Sequence, residues 1–143
     1  MGQRTIESSR MNFLERLIYG WAARRHVQRF ENLTFEALES ADSILVTNNL
    51  NQKIKAIDDL QTIRAVLDFV KGHQSGWTMP FEGVPVARLR LNFYAAGAPL
   101  GNLGVDETFL TAHQLGAFWS KASEVAEGAR LLDIIGVAGY GDT

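Results

Sequence analysis

The sequence contains no cysteine and only three prolines among its 143 residues. Without cysteine the chain has no disulfide, no thiol nucleophile and no thiolate ligand for a metal. It also lacks the roughly 20 consecutive apolar residues that a membrane-spanning helix needs. The longest apolar run near the N-terminus, residues 17–23, is flanked by Arg16, Arg24 and Arg25 and has no signal-peptide cleavage pattern. We therefore expect a cytoplasmic protein.

Familiar catalytic motifs are missing as well. The sequence has no G-x-S-x-G, no H-E-x-x-H and no EF-hand pattern. Residues 97–104 are rich in glycine, but no Gly-Lys-Ser/Thr follows them. They also lie between predicted strands, whereas a phosphate-binding loop leads into a helix N-terminus. We therefore predict no cofactor, no metal and no catalytic residue, and we assign these glycines to turns and bulges.

The composition is typical of an ordinary folded domain. Hydrophobic residues make up 46% of the chain and charged residues 21%, which suffices for a hydrophobic core without a disulfide or a metal. The net charge of -2 is far from the basic balance of nucleic-acid-binding proteins. We divide the chain into a flexible leader (1–10), an N-terminal helix (11–31) and a single α+β domain (32–143).

Two β-rich runs, residues 43–47 and 53–57, flank an asparagine-rich turn and predict a hairpin. A helix is predicted next, with Asp58 as its cap because Gln61 stands three residues further on. The helix ends before Gly72. Its apolar stripe consists of Ile63, Val66, Leu67 and Val70.

The second half of the chain predicts three more strands and a final helix. Apolar and polar side chains alternate over residues 87–94, and shorter strands follow near 100–105 and 109–112. The final helix has Ser120 or Ser123 as its predicted cap. The order α-β-β-α-β-β-β-α with short links predicts an α+β fold, in which helices cover one face of an antiparallel sheet of about five strands.

The predicted N-terminal amphipathic helix is unusual because it carries two apolar stripes on opposite sides. The first stripe, which Arg25 continues, consists of Leu14, Leu17, Ile18 and Trp21. The second stripe consists of Tyr19, Ala23, Val27 and Phe30.

Two interpretations account for the doubled stripe. In the structural one, Gly20 kinks the helix, or the helix lies in a groove of its own domain. In the functional one, one stripe packs on the domain while the other meets a protein partner, a second copy of the chain or a membrane surface. We predict that the partner-binding residues are Leu14, Leu17, Ile18, Trp21 and Arg25.

An alternative site is centred on His113. Asp106, Glu107, Thr111 and Ser120 lie close to it in sequence, and a hairpin would bring such groups together for acid-base or ligand chemistry. The competing structural interpretation is a half-buried histidine that bonds to the backbone.

Aromatic side chains near loops complete this alternative ligand site. Trp77, Phe81 and Trp119 are candidates for its walls, together with His113. Aromatic residues in such positions also serve to close one end of a small core.

Basic residues are predicted on the wet face of the sheet. Lys53, Lys55, Arg88 and Arg90 would lie there beside Tyr94, an arrangement that some single-strand nucleic-acid binders use. Basic residues on exposed strands also prevent edge pairing and maintain solubility. Since repeated aromatics are missing, we do not predict a nucleic-acid partner.

The leading functional prediction is a non-catalytic protein-interaction or binding domain, such as an inhibitor, an immunity-type protein or an assembly accessory. It would present the N-terminal helix or the exposed sheet face to its partner. Two alternatives stay open. One is a small enzyme or ligand-binding protein with its site near His113, and the other is a homodimer formed by antiparallel docking of the N-terminal helices.

Overall fold

The computed structural model describes residues 30–79, 83 and 85–141. The predicted leader lies outside this range. So does the predicted N-terminal helix, apart from its last two residues, and so does Phe81.

Six strands and two helices follow one another along the described chain. The strands are β1 (Ser43–Asn48), β2 (Lys53–Ile57), β3 (Leu89–Ala95), β4 (Ala98–Val105), β5 (Phe109–Gln114) and β6 (Ala117–Ala122); the helices are α1 (Leu60–Lys71) and α2 (Val125–Ile135), and a 3-10 turn (Glu36–Leu38) precedes β1. The strand order is β2-β1-β3-β4-β5-β6, and all neighbours are antiparallel. The predicted α+β fold with an antiparallel sheet is confirmed, whereas the predicted count of about five strands is corrected to six.

The strand that sequence reasoning missed is β6. It pairs with β5 through a two-residue turn in which Leu115 and Gly116 both have positive φ, at 53° and 79°. Such turns connect hairpins well because their twist matches that of the strands. Ser120 lies within β6, opposite Thr111, and α2 begins after Glu124 without a side-chain cap. Neither predicted serine therefore caps the helix.

The hairpin β1–β2 and helix α1 form as predicted, with one shift. The Asn48 side chain closes the hairpin turn, because its Oδ1 accepts hydrogen bonds from the backbone N–H groups of Leu50 and Gln52 at 2.9 Å. The cap of α1 is Asp59 and not Asp58, since the Asp59 carboxylate accepts from the Thr62 N–H at 2.9 Å. An acceptor at this position satisfies one of the free donors in the first turn.

One face of the sheet, which we call the helix face, is covered by α1 and α2. Alternation along β3 places Leu89, Leu91 and Phe93 on this face, where all three are fully buried. They belong to one hydrophobic cluster with residues of both helices, among them Val66 and Leu131. Burial of this cluster provides the main driving force for folding. No described helix is long and apolar enough to cross a membrane.

Helix α2 contains a glycine that close packing requires. A Cβ atom at Gly128 would meet the Tyr140 hydroxyl and, at 3.0 Å, the carbonyl oxygen of Asp106. The low helix propensity of glycine is therefore offset by the close approach that it permits. The helix ends at Gly136, which has a φ of 72° in the left-handed region that glycine tolerates.

Candidate functional site

The opposite face of the sheet, which we call the open face, carries no described helix. Register places five side chains in a row across it, one from each of β1, β3, β4, β5 and β6. We call this the central row, and it consists of Leu45, Asn92, Asn102, His113 and Phe118. Residues that pair across antiparallel strands point to the same face, so one surface is built from widely separated parts of the sequence.

Two cavities flank the central row where it crosses β4 and β5. The larger, about 350 Å³, lies beside Arg90, Thr111 and Phe118, and the smaller is about 270 Å³. Asn102 and His113 line both cavities. An amide and an imidazole therefore stand between them and supply hydrogen-bonding groups to whatever occupies the open face.

The His113 ring stacks on the Phe118 ring. Their centroids are 3.9 Å apart and the two planes differ by 5°. The pair forms a flat wall of the larger cavity, and 49% of Phe118 remains exposed to solvent. A stacked pair on a sheet offers rigid apolar area at small cost in side-chain entropy.

Exposed apolar side chains surround the central row. Leu115, in the turn after β5, is 87% exposed, and Val86, before β3, is 67% exposed. Leu115 borders the smaller cavity and Val86 borders the larger one, next to Phe118. Exposed apolar side chains that border concave surface are typical of an interaction site.

Of the four residues of the predicted ligand site, the three that the structure describes are not brought together. Trp119 pairs with Ala112 on the helix face, whereas His113 lies on the open face. Trp77 is fully buried in the core, where its Nε1 donates to the His73 carbonyl at 2.6 Å and its ring meets Phe35 edge-on. The sequence shows their aromatic character but not the side of the sheet to which each belongs.

Of the groups predicted to accompany His113, Thr111 lines the larger cavity with it, whereas the two carboxylates lie elsewhere. Thr111 and Ser120 pair with each other on the open face. The carboxylate of Asp106 instead binds Arg88 at the end of the sheet, at 2.9 and 3.1 Å, and Glu107 is 3.4 Å from the same guanidinium. Among residues 30–79, 83 and 85–141 there is no group of three His, Cys, Asp or Glu side chains that could hold a metal ion.

The four predicted basic residues do not form one surface. Lys53 and Arg90 are both register partners of Thr47 and share the open face with it. The Lys55 ammonium instead donates to the Ile135 carbonyl at the end of α2. Arg88 is held by Asp106 and lies over the Tyr140 ring. A continuous basic track for nucleic acid is therefore not present on the described part of the open face.

A histidine outside the open face links the two helices. His73 Nδ1 bonds to the Phe69 carbonyl and Nε2 bonds to the Glu127 carboxylate, both at 2.8 Å. The imidazole ring therefore connects a backbone carbonyl of α1 with a carboxylate of α2. The role of this histidine is to join α1 to α2.

The first predicted stripe, Leu14, Leu17, Ile18 and Trp21, lies outside the described residues, as does Arg25. Phe30, which ends the second stripe, is 70% exposed. The next residue, Glu31, is fixed, because it exchanges two backbone hydrogen bonds with Trp77 at 2.7 and 3.1 Å.

The ion pair between Arg88 and Asp106 at the end of the sheet predicts how the free energy of unfolding depends on pH. Burial by itself raises the pKa of Asp106, but hydrogen bonds from the Arg88 guanidinium and from two backbone N–H groups outweigh it, so that this pKa lies below its usual value. Such a carboxylate stabilises the fold above its unfolded pKa of about 3.9, and the stabilisation is lost as pH falls through the lower folded pKa.

We therefore expect Asp106→Asn to lower the free energy of unfolding at neutral pH by about 1–2 kcal/mol. The variant should also lose stability less steeply than the parent below pH of about 4. Urea unfolding at a series of pH values measures both effects. Asp133→Asn, on the exposed side of α2, is the control. If the free energy of unfolding falls equally steeply with pH for the parent and for Asp106→Asn, the lowered pKa of Asp106 is contradicted.

Comparison with known proteins adds no relative. No protein-family model matches the chain, and neither the curated proteins nor the solved structures contain a match to it. The chain is therefore defined by its own architecture, which is an α+β domain with two helices on one side of a six-stranded antiparallel sheet and an open, grooved face on the other.

Proposed function

We propose that this protein is a non-catalytic protein-interaction domain of the cytoplasm that binds its partner on the open face. The observation that carries the proposal is the pair of cavities that share Asn102 and His113. The exposed apolar side chains of Val86, Leu115 and Phe118 border these cavities. When a partner covers these side chains, apolar surface is removed from water. This burial is favourable by about 25 cal/mol of free energy for each Å² of apolar area.

The chemical groups on the open face indicate which groups the partner presents to it. The central row contains two amides and an imidazole but no carboxylate, and Arg90 stands beside it. A complementary surface presents apolar side chains to Phe118 and Leu115, and a hydrogen-bond acceptor to Arg90 and Asn102. An amphipathic helix meets these requirements, because its apolar stripe fills a groove while its flanks remain polar.

Cross-linking from the two sides of the molecule tests this proposal. A photoreactive phenylalanine analogue is placed at Leu115 or Phe118 on the open face. The matched controls are Leu60 and Val125, which are 60% and 58% exposed at the starts of the two helices. We expect one protein to cross-link in source cells from both open-face positions and from neither helix position. Cross-links from the helix positions alone would overturn the proposal.

A small-molecule ligand is the second candidate, because the larger cavity of about 350 Å³ is of a size that ligand sites have. His113 and Arg90 would then bind the polar part of the ligand. The same experiment separates the two candidates, since a small ligand gives no protein cross-link. In addition, the ligand would shift the His113 ring signals in NMR spectra of protein isolated from source cells, compared with protein that was unfolded, washed and refolded.

A further inference from the structure

We propose that the larger cavity of the open face binds a carboxylate, which an aspartate or glutamate side chain of the protein partner supplies. The inference rests on the proposed function, because it concerns the same surface and names the group of the partner that enters it. Arg90 binds the carboxylate, and Asn102, Thr111 and His113 supply further hydrogen-bond donors.

Two rows of side chains place these groups around the cavity. Asn102 and His113 belong to the central row. Arg90, Gly104 and Thr111 are register partners on the same three strands, two residues further along each, and therefore form a second row on the same face. Arg90 and Thr111 line the larger cavity together with Asn102 and His113. Four polar side chains from three neighbouring strands thus border one cavity.

The glycine in the middle of the second row preserves the shape of this cavity. A Cβ atom at Gly104 would meet Thr111 Oγ1 and, at 2.9 Å, the Cβ atom of Ala87. Thr111 and Ala87 both line the cavity. A residue with a side chain at this position would therefore displace two of its walls.

The polar groups of the cavity suit an anion. A guanidinium, an amide, a hydroxyl and an imidazole can each donate a hydrogen bond. No Asp or Glu among the residues that the structure describes lines the cavity. Lys53 adds a second positive charge to the open face. Residues 30–143 as a whole contain fourteen acidic residues against eight Lys and Arg. The cavity is therefore a site for an anion on a domain that is otherwise acidic.

Arg90 forms no ion pair with any carboxylate of the described residues. The ion pairs there involve other basic side chains, namely Lys71, His73, Arg88 and Arg130. Arg90 donates from Nη1 to the amide oxygen of Asn51 at 3.1 Å, at the surface. A carboxylate is a stronger acceptor than a neutral amide, because it carries the opposite charge and its two oxygens match the guanidinium fork. Arg90 is therefore available to a carboxylate of the partner.

The charge of the cavity favours a carboxylate over a phosphate. A single guanidinium lines it, and one positive charge balances the single charge of a carboxylate. A phosphorylated side chain carries about −1.5 to −2 charges at neutral pH.

The surroundings of the cavity favour a protein as the source of the carboxylate. Val86 and Phe118 border the larger cavity, whereas Leu115 borders the smaller one. A small molecule in the larger cavity leaves Leu115 exposed. An acidic side chain on an amphipathic helix enters the cavity while the apolar stripe of the same helix covers all three residues.

Phenylacetate, which joins a carboxylate to an aromatic ring, tests the cavity in the full chain. The matched control is phenylacetamide, which has nearly the same shape and no charge. We expect phenylacetate to shift the amide NMR signals of Asn102, Thr111 and His113 saturably, and to leave those of Arg64 and Ala129 on the helices in place. Its Kd should be at least about tenfold lower than that of phenylacetamide. Equal affinities, or no shift of the open-face signals, would overturn the inference.

Removal of one positive charge makes this result specific to the cavity. Arg90→Gln should abolish the shifts that phenylacetate causes. Arg64→Gln removes the same charge from an exposed position on α1 and should retain them. Thermal unfolding confirms that both variants are folded. If Arg64→Gln weakens phenylacetate binding as much as Arg90→Gln does, net charge and not the cavity attracts the probe, and the inference is wrong.

A double-mutant cycle tests the source of the carboxylate once the partner is identified by cross-linking. We expect Arg90→Gln to weaken partner binding about tenfold, and Arg64→Gln to leave it unchanged. Each acidic residue of the cross-linked region of the partner is then changed to its amide. One of these changes should weaken binding to the parent by the same factor and have no further effect on Arg90→Gln. Additive losses for every acidic residue would overturn the inference.

The inference and the proposed function can fail separately. A partner that cross-links to the open face but binds Arg90→Gln as tightly as the parent would overturn the inference and leave the proposed function in place. If phenylacetate binds the cavity and no protein cross-links to the open face, the proposed function fails. The carboxylate then belongs to a small molecule, which overturns the part of the inference that assigns it to a protein.

Discussion

Trp77→Ala will lower the free energy of unfolding by about 3–5 kcal/mol, which is the usual cost of truncating a buried aromatic side chain. Trp77 has no exposed surface and packs edge-on against Phe35, with ring centroids 5.6 Å apart. The truncation also removes the hydrogen bond from Nε1 to the His73 carbonyl. The segment that carries Glu31 is anchored on this residue, so the variant loosens the edge of the sheet as well.

Chemical denaturation with the parent and two variants measures this effect. Met79→Ala is the matched control, because Met79 lies two residues away and is 55% exposed. We expect the control to stay within about 0.5 kcal/mol of the parent. A loss for Trp77→Ala no larger than for Met79→Ala would contradict the burial of Trp77 in the core and favour the ligand-site alternative.

Gly101→Ala will cost roughly 2–5 kcal/mol, because backbone strain and overpacking act together at this position. Gly101 has a φ of 147°. A Cβ atom there would lie 2.6 Å from the carbonyl oxygen of His113 and 3.2 Å from Leu38 Cδ2. Strand β5 must move to relieve the first contact, and with it the His113 ring on the open face.

The control for this variant separates strain from contact. Gly97→Ala also places a side chain at positive φ, 81°, but nothing lies within 4 Å of the added atom. We expect Gly97→Ala to cost about 1–2 kcal/mol and to leave the NMR signals of His113 unchanged. Equal losses for the two variants would contradict the close approach of β4 to β5.

The parts of the fold that were predicted correctly have local causes. Alternation along residues 87–94 determines which face of β3 is buried, and an asparagine-rich turn determines the first hairpin. Strand β6 was not predicted because its turn requires a positive φ at Leu115. Leucine rarely adopts a positive φ, so the residue type at this position does not indicate a turn. Pairing with β5 supplies the stabilisation that the local sequence does not.

The candidate site was less predictable because it depends on register between strands. His113 was identified as a candidate, but its register partner Asn102 is eleven residues away in sequence, and Asn92, which pairs with Asn102, is twenty-one residues away. Trp119 was grouped with His113 although it belongs to the other face of the sheet. A shift of one residue in register exchanges the two faces, and the sequence of a single strand does not specify its partner.

The most direct test of the central claim is the affinity of the cross-linked partner, once purified, for matched variants of the two sides of the protein. We expect Phe118→Asp and Leu115→Asp to weaken binding by about 2 kcal/mol, or roughly thirtyfold in Kd. Val125→Asp, on α2, should leave the Kd unchanged, and thermal unfolding confirms that each variant is folded. A larger loss for Val125→Asp than for either open-face variant would contradict the claim that the partner binds the open face.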